Sequence, residues 1–383
     1  MRLKKLRMEN VRNHSGSSIE CSPAWNIFLG NNGEGKTTIL EGISYLCFTK
    51  SFSAAQDSTV LQLGKKSFAV AGEIQSDQGV SYEVSVSFDA EQNQKVVAIN
   101  KARVEKHSSV VGQFPLVVLS PEHGAITFGA PVDRRKFLDT VLSQSSSVYF
   151  ENLLEYRRIV RQRNKILVDA KIARSDCSEA LEPWDEGLVD HGARVIQKRA
   201  EFIEEFQPFV SRAVQEIAGS GEQPQTVYES NVPLLEGSSM GSIEESFRRE
   251  LEGRRMEERK VGSSLVGPHR DELAFSLNGM DLRRYASQGQ HKTLLVGLKL
   301  AEFAYLRDRR RETPLLLLDD VFSELDDERA ARLAAATSAL GQTFVTATDE
   351  RALTGQSPNN GSWQRYSVRG GTVSYAEAST FVN

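Results

Sequence analysis

The chain has 383 residues, 39% of them apolar and 26% charged, with 47 basic against 51 acidic side chains and a net charge of −4. That length exceeds one simple core and fits two packed units, while the acidic excess excludes a protein whose whole surface attracts nucleic acid, so any DNA contact must come from clustered cations. No apolar run nears the ~20 residues of a bilayer span, the opening MRLKKLRMEN lacks the apolar stretch of a signal peptide, and Cys21, Cys47 and Cys177 form no C-x-x-C pair or Cys/His cluster; the chain reads as cytoplasmic, without a membrane partner, disulfide framework or zinc site, its cysteines being small core residues.

Two short strands open the chain, one around 6–8 and one over 26–29, the second ending in a glycine-rich turn, and a helix is predicted from Lys36 to Phe48. Alternating segments at 68–74, 81–88 and 95–100, separated by polar turns, predict an antiparallel meander with one wet face, and 114–119 reads as a buried strand. From Val132 to about Lys260 the chain turns charged and helical, notably over 147–171 and 185–218, with few strand signals. Strand signals then return as a hairpin about Asn278-Gly279, a buried parallel strand over 315–318, a strand over 342–348 and a hairpin turning on Gly370-Gly371. The expected organisation is an α/β domain, 1–122 and 262–383, split by a helical arm at 123–261.

The segment Gly30-Asn31-Asn32-Gly33-Glu34-Gly35-Lys36-Thr37 fits G-x-x-x-x-G-K-[ST] between a predicted strand and a predicted helix, the context that separates a phosphate-binding loop from a chance glycine-rich turn. Glycines let successive N–H groups converge on phosphates at the positive end of the following helix; Lys36 adds a mobile charge for the β- and γ-phosphates, and the Thr37 hydroxyl a ligand for Mg²⁺. A second carboxylate site is expected where the buried run 315–318 ends in Asp319 and Asp320, because ligands gather beyond the carboxyl ends of strands in open α/β sheets. Asp319 is assigned to Mg²⁺, and Asp320, with Lys36, to catalysis, Asp320 orienting or deprotonating the attacking water.

Ser287-Gln288-Gly289-Gln290, ahead of the acidic strand, resembles the signature motif of ABC-class ATPases, and Ser323-Glu324-Leu325-Asp326 resembles their D-loop. Over nearly the whole chain the match is to RecF-type DNA repair proteins: the opening 6–14 resembles their N-F-R-N-Y, 117–122 their S-P-E, 133–139 their R-R-x-F-L-D and 267–272 their G-P-H-R-D-D, with departures at Val11, His14, His123, Glu272 and His291. The resemblance implies an ABC-type ATPase head, a mixed sheet carrying the phosphate-binding loop plus an antiparallel meander, with an inserted helical lobe where SMC relatives carry a long coiled coil; no heptad pattern continues through the insertion. It further implies ATP and Mg²⁺ as cofactors, nucleotide contacts at Arg12, Gly30 to Thr38 and Ser287 to Gln290, and an ATP-driven homodimer in which one subunit's signature caps the other's nucleotide. The loop at Glu122 would link the γ-phosphate to the lobe, the absence of a histidine over Thr346–Asp349 points to slow hydrolysis, and the resemblance implies that DNA stimulates it. Double- and single-stranded DNA at gaps or junctions and the recombination mediators RecO and RecR are the implied partners, in repair and replication-fork maintenance.

Charge supplies the candidate DNA contacts. Arg157, Arg161 and Lys165 recur at one helical turn, as cations that follow successive phosphates would, with Leu154 and Val160 available to face a core, and Arg134, Arg135 and Lys136 form a second cluster. Taken alone such runs equally fit a solvated helix face. Two other functions fit less: a transporter's energy subunit would carry a switch histidine and no G-P-H-R block, and a small-molecule kinase would leave the S-Q-G-Q and S-E-L-D segments unexplained.

Overall fold

Hydropathic alternation builds one sheet of this protein and unbroken apolar runs build another. The computed structural model describes residues 1–218, 221–234, 237, 239–348 and 363–376. Elements follow in the order β1 (Arg2–Val11), β2 (His14–Glu20), β3 (Trp25–Leu29), α1 (Lys36–Phe48), β4 (Ser67–Gln75), β5 (Ser81–Asp89), β6 (Gln94–Ile99), β7 (Ala102–Arg103), β8 (Leu116–Leu119), α2 (Ala125–Phe128), α3 (Pro131–Ser145), α4 (Ser147–Ala173) and α5 (Ser178–Ala218). Then come β9 (Pro224–Glu229), α6 (Met240–Val261), β10 (Glu272–Leu277), β11 (Met280–Asp281), α7 (Leu282–Tyr285), α8 (Gln288–Arg310), β12 (Leu315–Asp319), α9 (Asp327–Ser338), β13 (Thr343–Ala347), β14 (Gln364–Arg369) and β15 (Thr372–Ala376). Two units emerge, 1–124 with 209–222 and 287–383, and 125–208 with 223–286.

In the first unit an antiparallel sheet runs β2-β1-β4-β5-β6-β7. Its alternation is that of a half-wet sheet: Leu6, Met8, Val70, Val84 and Val86 are buried while Arg7, Glu9 and Glu73 face solvent. The second sheet runs β15-β14-β3-β13-β12-β8, parallel from β14 to β8 with β15 antiparallel at the edge. Every residue of β12 and β13 is buried, which is why the leucine run carries no alternation. Helix α1 joins the cores of the two sheets, with Leu40, Ile43 and Leu46 in one cluster with Leu3, Leu6, Val70, Phe28, Leu317 and Phe344.

The second unit packs helices about Tyr156, Ile159, Leu188, Ile196, Phe247 and Val266 and carries the small sheet β11-β10-β9. Each arginine buried in it has carboxylate partners. Arg199 pairs with Asp139 at 2.7 Å and Asp271 at 3.1 Å, and Arg163 with Asp185 at 2.8 Å and Glu258 at 3.1 Å.

The elements depart from expectation at definite points. The first strand spans ten residues, and β2 was not anticipated because its sequence, HSGSSIE, has one large apolar residue. β9 lies in the stretch expected to be helical; it starts on a proline and pairs with β10. The hairpin at Asn278-Gly279 forms, but it belongs to the second unit, so the first resumes at 287 and not at 262. Leu154 is 38% exposed and does not face a core, whereas Val160 packs against one. Cys47 and Cys177 are buried, and Cys21 is half-buried at the core's edge.

Candidate functional site

The loop after β3 takes a shape that only glycine permits at several positions. Gly33 and Gly35 have φ of +81° and +107°, and a Cβ on Gly30 would stand 2.3 Å from the Val368 carbonyl oxygen. Helix α1 therefore starts at Lys36 directly from a left-handed residue, with its first N–H groups uncapped by any side chain. Lys36 Nζ donates to the Gly30 carbonyl at 2.7 Å and the Asn31 carbonyl at 3.0 Å, arching back over the loop. Thr37, one residue on, holds its Oγ1 2.9 and 3.1 Å from the two Asp319 carboxylate oxygens.

Parallel pairing of β12 with β13 brings Thr346 to this point: its hydroxyl donates to Asp319 Oδ1 at 2.8 Å and accepts from the Asp320 N–H at 2.9 Å. Asp320 adopts φ +53°, unusual for a residue with a Cβ, and its Oδ1 is buried without a hydrogen-bond partner among the described residues. Burial raises the Asp319 pKa above the usual value, against the lowering effect of Thr346 and Thr37. Burial also lowers that of Lys36, opposed by Asp320, Asp319 and Glu34. In both groups burial outweighs the neighbours that favour the charged form.

These residues border a cleft of about 720 Å³ that is also lined by Arg12, Asn13, Asn32, Thr38, Glu41, Ser53, Ser120, Pro121 and Glu122. Its chemistry suits a polyphosphate with a hard cation. Among the described residues no three acidic, His or Cys side chains converge on a metal position. Thr37 and Asp319 offer two oxygen ligands side by side, which fits Mg²⁺ held by one or two protein groups with phosphate and water completing its shell.

Arg12 sits at the tip between β1 and β2 with φ +49°. Its Nη2 donates to Glu41 Oε1 at 2.7 Å, and its Nε lies 2.6 Å from Oε2 without hydrogen-bond alignment. Glu41 also accepts from Ser51 and Ser53 at 2.6 Å each. Sequence reasoning overlooked Glu41, although it lies four residues after Thr37 and so on the same helix face. Thr346 was overlooked as well, having been considered only as a place lacking histidine; Thr346, Ala347 and Thr348 show none, and Asp349 lies outside the described residues. Glu34, unlike its neighbours in the loop, turns away and accepts from the Gly370 N–H.

Ser287, Gln288, Gly289 and Gln290 do not border this cleft. Ser287 caps α8: its Oγ accepts from the Gln290 N–H at 3.2 Å while Gln290 Oε1 accepts from the Ser287 N–H at 2.9 Å, and Ser287 and Gln288 are exposed.

The expected DNA contacts separate in the second unit. Arg134 is 1% exposed, bound through Nε and Nη2 to Glu272 at 2.7 and 2.8 Å, so it cannot meet a phosphate without unfolding its surroundings; that expectation is corrected. Arg135 is half-buried and donates to the Asp271 carbonyl at 2.6 Å. Arg157 is half exposed but tied to Asp139 at 2.7 Å, whereas Arg161 and Lys165 are exposed and unpaired among the described residues. Lys136 is exposed on α3.

Comparison with known proteins gives the family and the fold. A family model described as "RecF/RecN/SMC N terminal domain" matches residues 2–365. The chain is 39% identical over 354 residues to the DNA replication and repair protein RecF of Chloroherpeton thalassium, covering 92% of this chain and 96% of that one, and 38% identical over 351 residues to that of Salinibacter ruber, covering 91% and 85%. Among solved structures it is similar to the recombination mediator protein RecF bound to ATP in the RecFOR pathway, with TM-score 0.88, 30% identity and 98% and 97% coverage. An SMC head from Pyrococcus furiosus shares the fold, at TM-score 0.56 and 13% identity. No helix among the described residues is long and apolar enough to cross a membrane. A phosphate-binding loop, an acidic strand end and an ABC-type head, matched over nearly its full length, make this chain a member of the RecF family of ATP-binding DNA replication and repair proteins.

Proposed function

We propose that the chain is an ATP-gated DNA clamp: two copies close on ATP and Mg²⁺, hold gapped or junction DNA, and help the mediators RecO and RecR load recombinase. The observation that carries this reading is that the cleft gathers Lys36, Thr37, Asp319 and Asp320 while Ser287 to Gln290 stand outside it, Ser287 and Gln288 exposed and Gly289 and Gln290 half-buried. A nucleotide held in that cleft lacks a signature from its own chain, and a second copy can supply one. In that dimer Lys36 and Arg12 bear on the phosphates, Thr37 and Asp319 hold Mg²⁺, and Asp320, its Oδ1 without a hydrogen-bond partner among the described residues, orients the attacking water. Hydrolysis is slow and rises with DNA, whose phosphates meet Arg161 and Lys165, with Arg157 and Arg135 available once released from their carbonyl and carboxylate partners.

The test is mass by light scattering with ATP and Mg²⁺, with and without gapped DNA. Wild type should double in mass, and Ser287→Arg should bind nucleotide and stay monomeric. A wild type that stays monomeric with ATP, on DNA and off it, would sink the clamp.

A further inference from the structure

Three consecutive carbonyls of the phosphate-binding loop are held from outside it. The Gly33 carbonyl accepts from Asn13 Nδ2 at 3.3 Å, the Glu34 carbonyl from the Gly371 N–H at 2.9 Å, and the Gly35 carbonyl lies 3.0 Å from His14 Nε2. A carbonyl only accepts, so His14 carries its hydrogen on Nε2, which leaves Nδ1 to accept from the Ser17 hydroxyl at 2.8 Å. Burial holds the His14 pKa below 6.5, so the neutral ring prevails at pH 7.

The two turns that supply these donors fit against each other without slack. The Gly370 N–H donates to the Glu34 carboxylate, so the C-terminal hairpin grips the loop by both backbone and side chain. Gly371, at φ +76°, lies so close to the β1–β2 tip that a Cβ on it would stand 2.0 Å from the Asn13 carbonyl oxygen. A Cβ on Gly35 would stand 2.6 Å from His14 Nε2.

Every peptide bond described is trans, and in a planar trans peptide the C=O and the next N–H point in opposite directions. Pinning the carbonyls of Gly33, Glu34 and Gly35 therefore turns the N–H groups of Glu34, Gly35 and Lys36 the other way. The Glu34 N–H closes a turn on the Asn31 carbonyl at 3.4 Å. Those of Gly35 and Lys36 are the ones aimed for an anion at the start of α1.

We propose that His14 and the Gly370-Gly371 turn are positioning residues for phosphate binding: they set the direction of the loop's amides before a nucleotide arrives, through the backbone and without touching the ligand. This rests on reading the cleft as the nucleotide site. A loop not braced this way must order its peptides on binding, at a cost in affinity.

The experiment measures binding of adenylyl-imidodiphosphate with Mg²⁺ to the full chain by calorimetry, well below each variant's melting temperature. His14→Ala and Gly371→Ala should each lose affinity about tenfold, the worth of one or two hydrogen bonds. His14→Gln should recover most of it, because its amide nitrogen stands as many bonds from the backbone as Nε2 does; a role limited to packing would lower the melting temperature and show no such rescue. Wild-type affinity in both His14→Ala and Gly371→Ala, with binding lost in Lys36→Ala, would overturn the brace alone, as would a loss that His14→Gln fails to recover. Normal affinity in Lys36→Ala would overturn the nucleotide site itself.

Discussion

Thr37 and Asp319 lie 282 residues apart in the chain, yet the hydroxyl of one stands 2.9 Å from the carboxylate of the other, with Thr346 on the far side of the same acid. Asp319 thus sits buried at the end of a strand with two hydroxyls as hydrogen-bond partners, and burial, with the like charges of Asp320 and Glu41, raises its pKa. A carboxyl whose folded pKa lies above its unfolded value of 3.8 stabilises the fold below that pH, and the contribution fades as pH rises through the folded pKa. Asp319→Asn, which does not titrate, should therefore melt above wild type at pH 7 without nucleotide, by about 2–4 °C if the relief is near 1 kcal/mol, and the difference should vanish near pH 3. With ATP and Mg²⁺ the order should reverse, because only the aspartate gains a metal. A lower melting temperature for the ligand-free variant at pH 7 would count against a charge that destabilises the fold.

Arg134 makes the opposite case. Both its contacts with Glu272 are made inside the fold, so Arg134→Ala leaves that carboxylate with the Leu273 N–H at 2.8 Å and the Arg283 guanidinium 3.5 Å away. The loss of stability should be about 3 kcal/mol by urea unfolding, with the salt dependence of DNA binding unchanged. Full stability together with a flatter salt slope would return Arg134 to the DNA surface.

On α4, Arg161→Ala with Lys165→Ala should weaken DNA binding alike across sequences and flatten the plot of log affinity against log salt by about two units. Arg157→Ala should change the slope by less than either, because Asp139 already holds its guanidinium. Equal slopes for the double variant and wild type would make this face merely solvated.

Much of the site is legible in the sequence alone, and what is not has a physical reason. The loop from Gly30 to Lys36, the helix Lys36–Phe48 and the acid pair after 315–318 are local patterns, each legible within a few residues. Local reading could not tell Arg134 from Arg161. Both are arginines on helices, and only the chain fold that brings Glu272 to one of them makes it a core residue. Glu41 was hidden for a similar reason, since its partners Arg12, and Ser51 with Ser53, come from two other segments. The pairing of β9 with β10 was hidden too, because a six-residue strand inside a helical region is declared by its partner and not by its own sequence.

The last prediction separates the dimer from any reading in which one chain works alone. Because Ser287 caps α8, Ser287→Arg removes a cap worth about 1 kcal/mol as well as obstructing closure. Ser287→Asp keeps a capping oxygen while setting a negative charge where the partner's γ-phosphate would come, so it should also bind nucleotide yet stay monomeric, with α8 intact. Asp320→Asn should do the reverse: its shape is kept and the carboxylate lost, so closure occurs, hydrolysis stops and the ATP-bound dimer accumulates. An equimolar mixture of Ser287→Asp with Lys36→Ala then decides the matter. In a mixed dimer one composite site carries both lesions and the other neither, so ATPase activity should return to a fraction of wild type although each variant alone is inactive. If the mixture is as inactive as its parts while the mixed dimer forms, two intact sites are required; if Ser287→Asp alone hydrolyses ATP as a monomer, the signature serves its own chain and the two-copy arrangement is wrong.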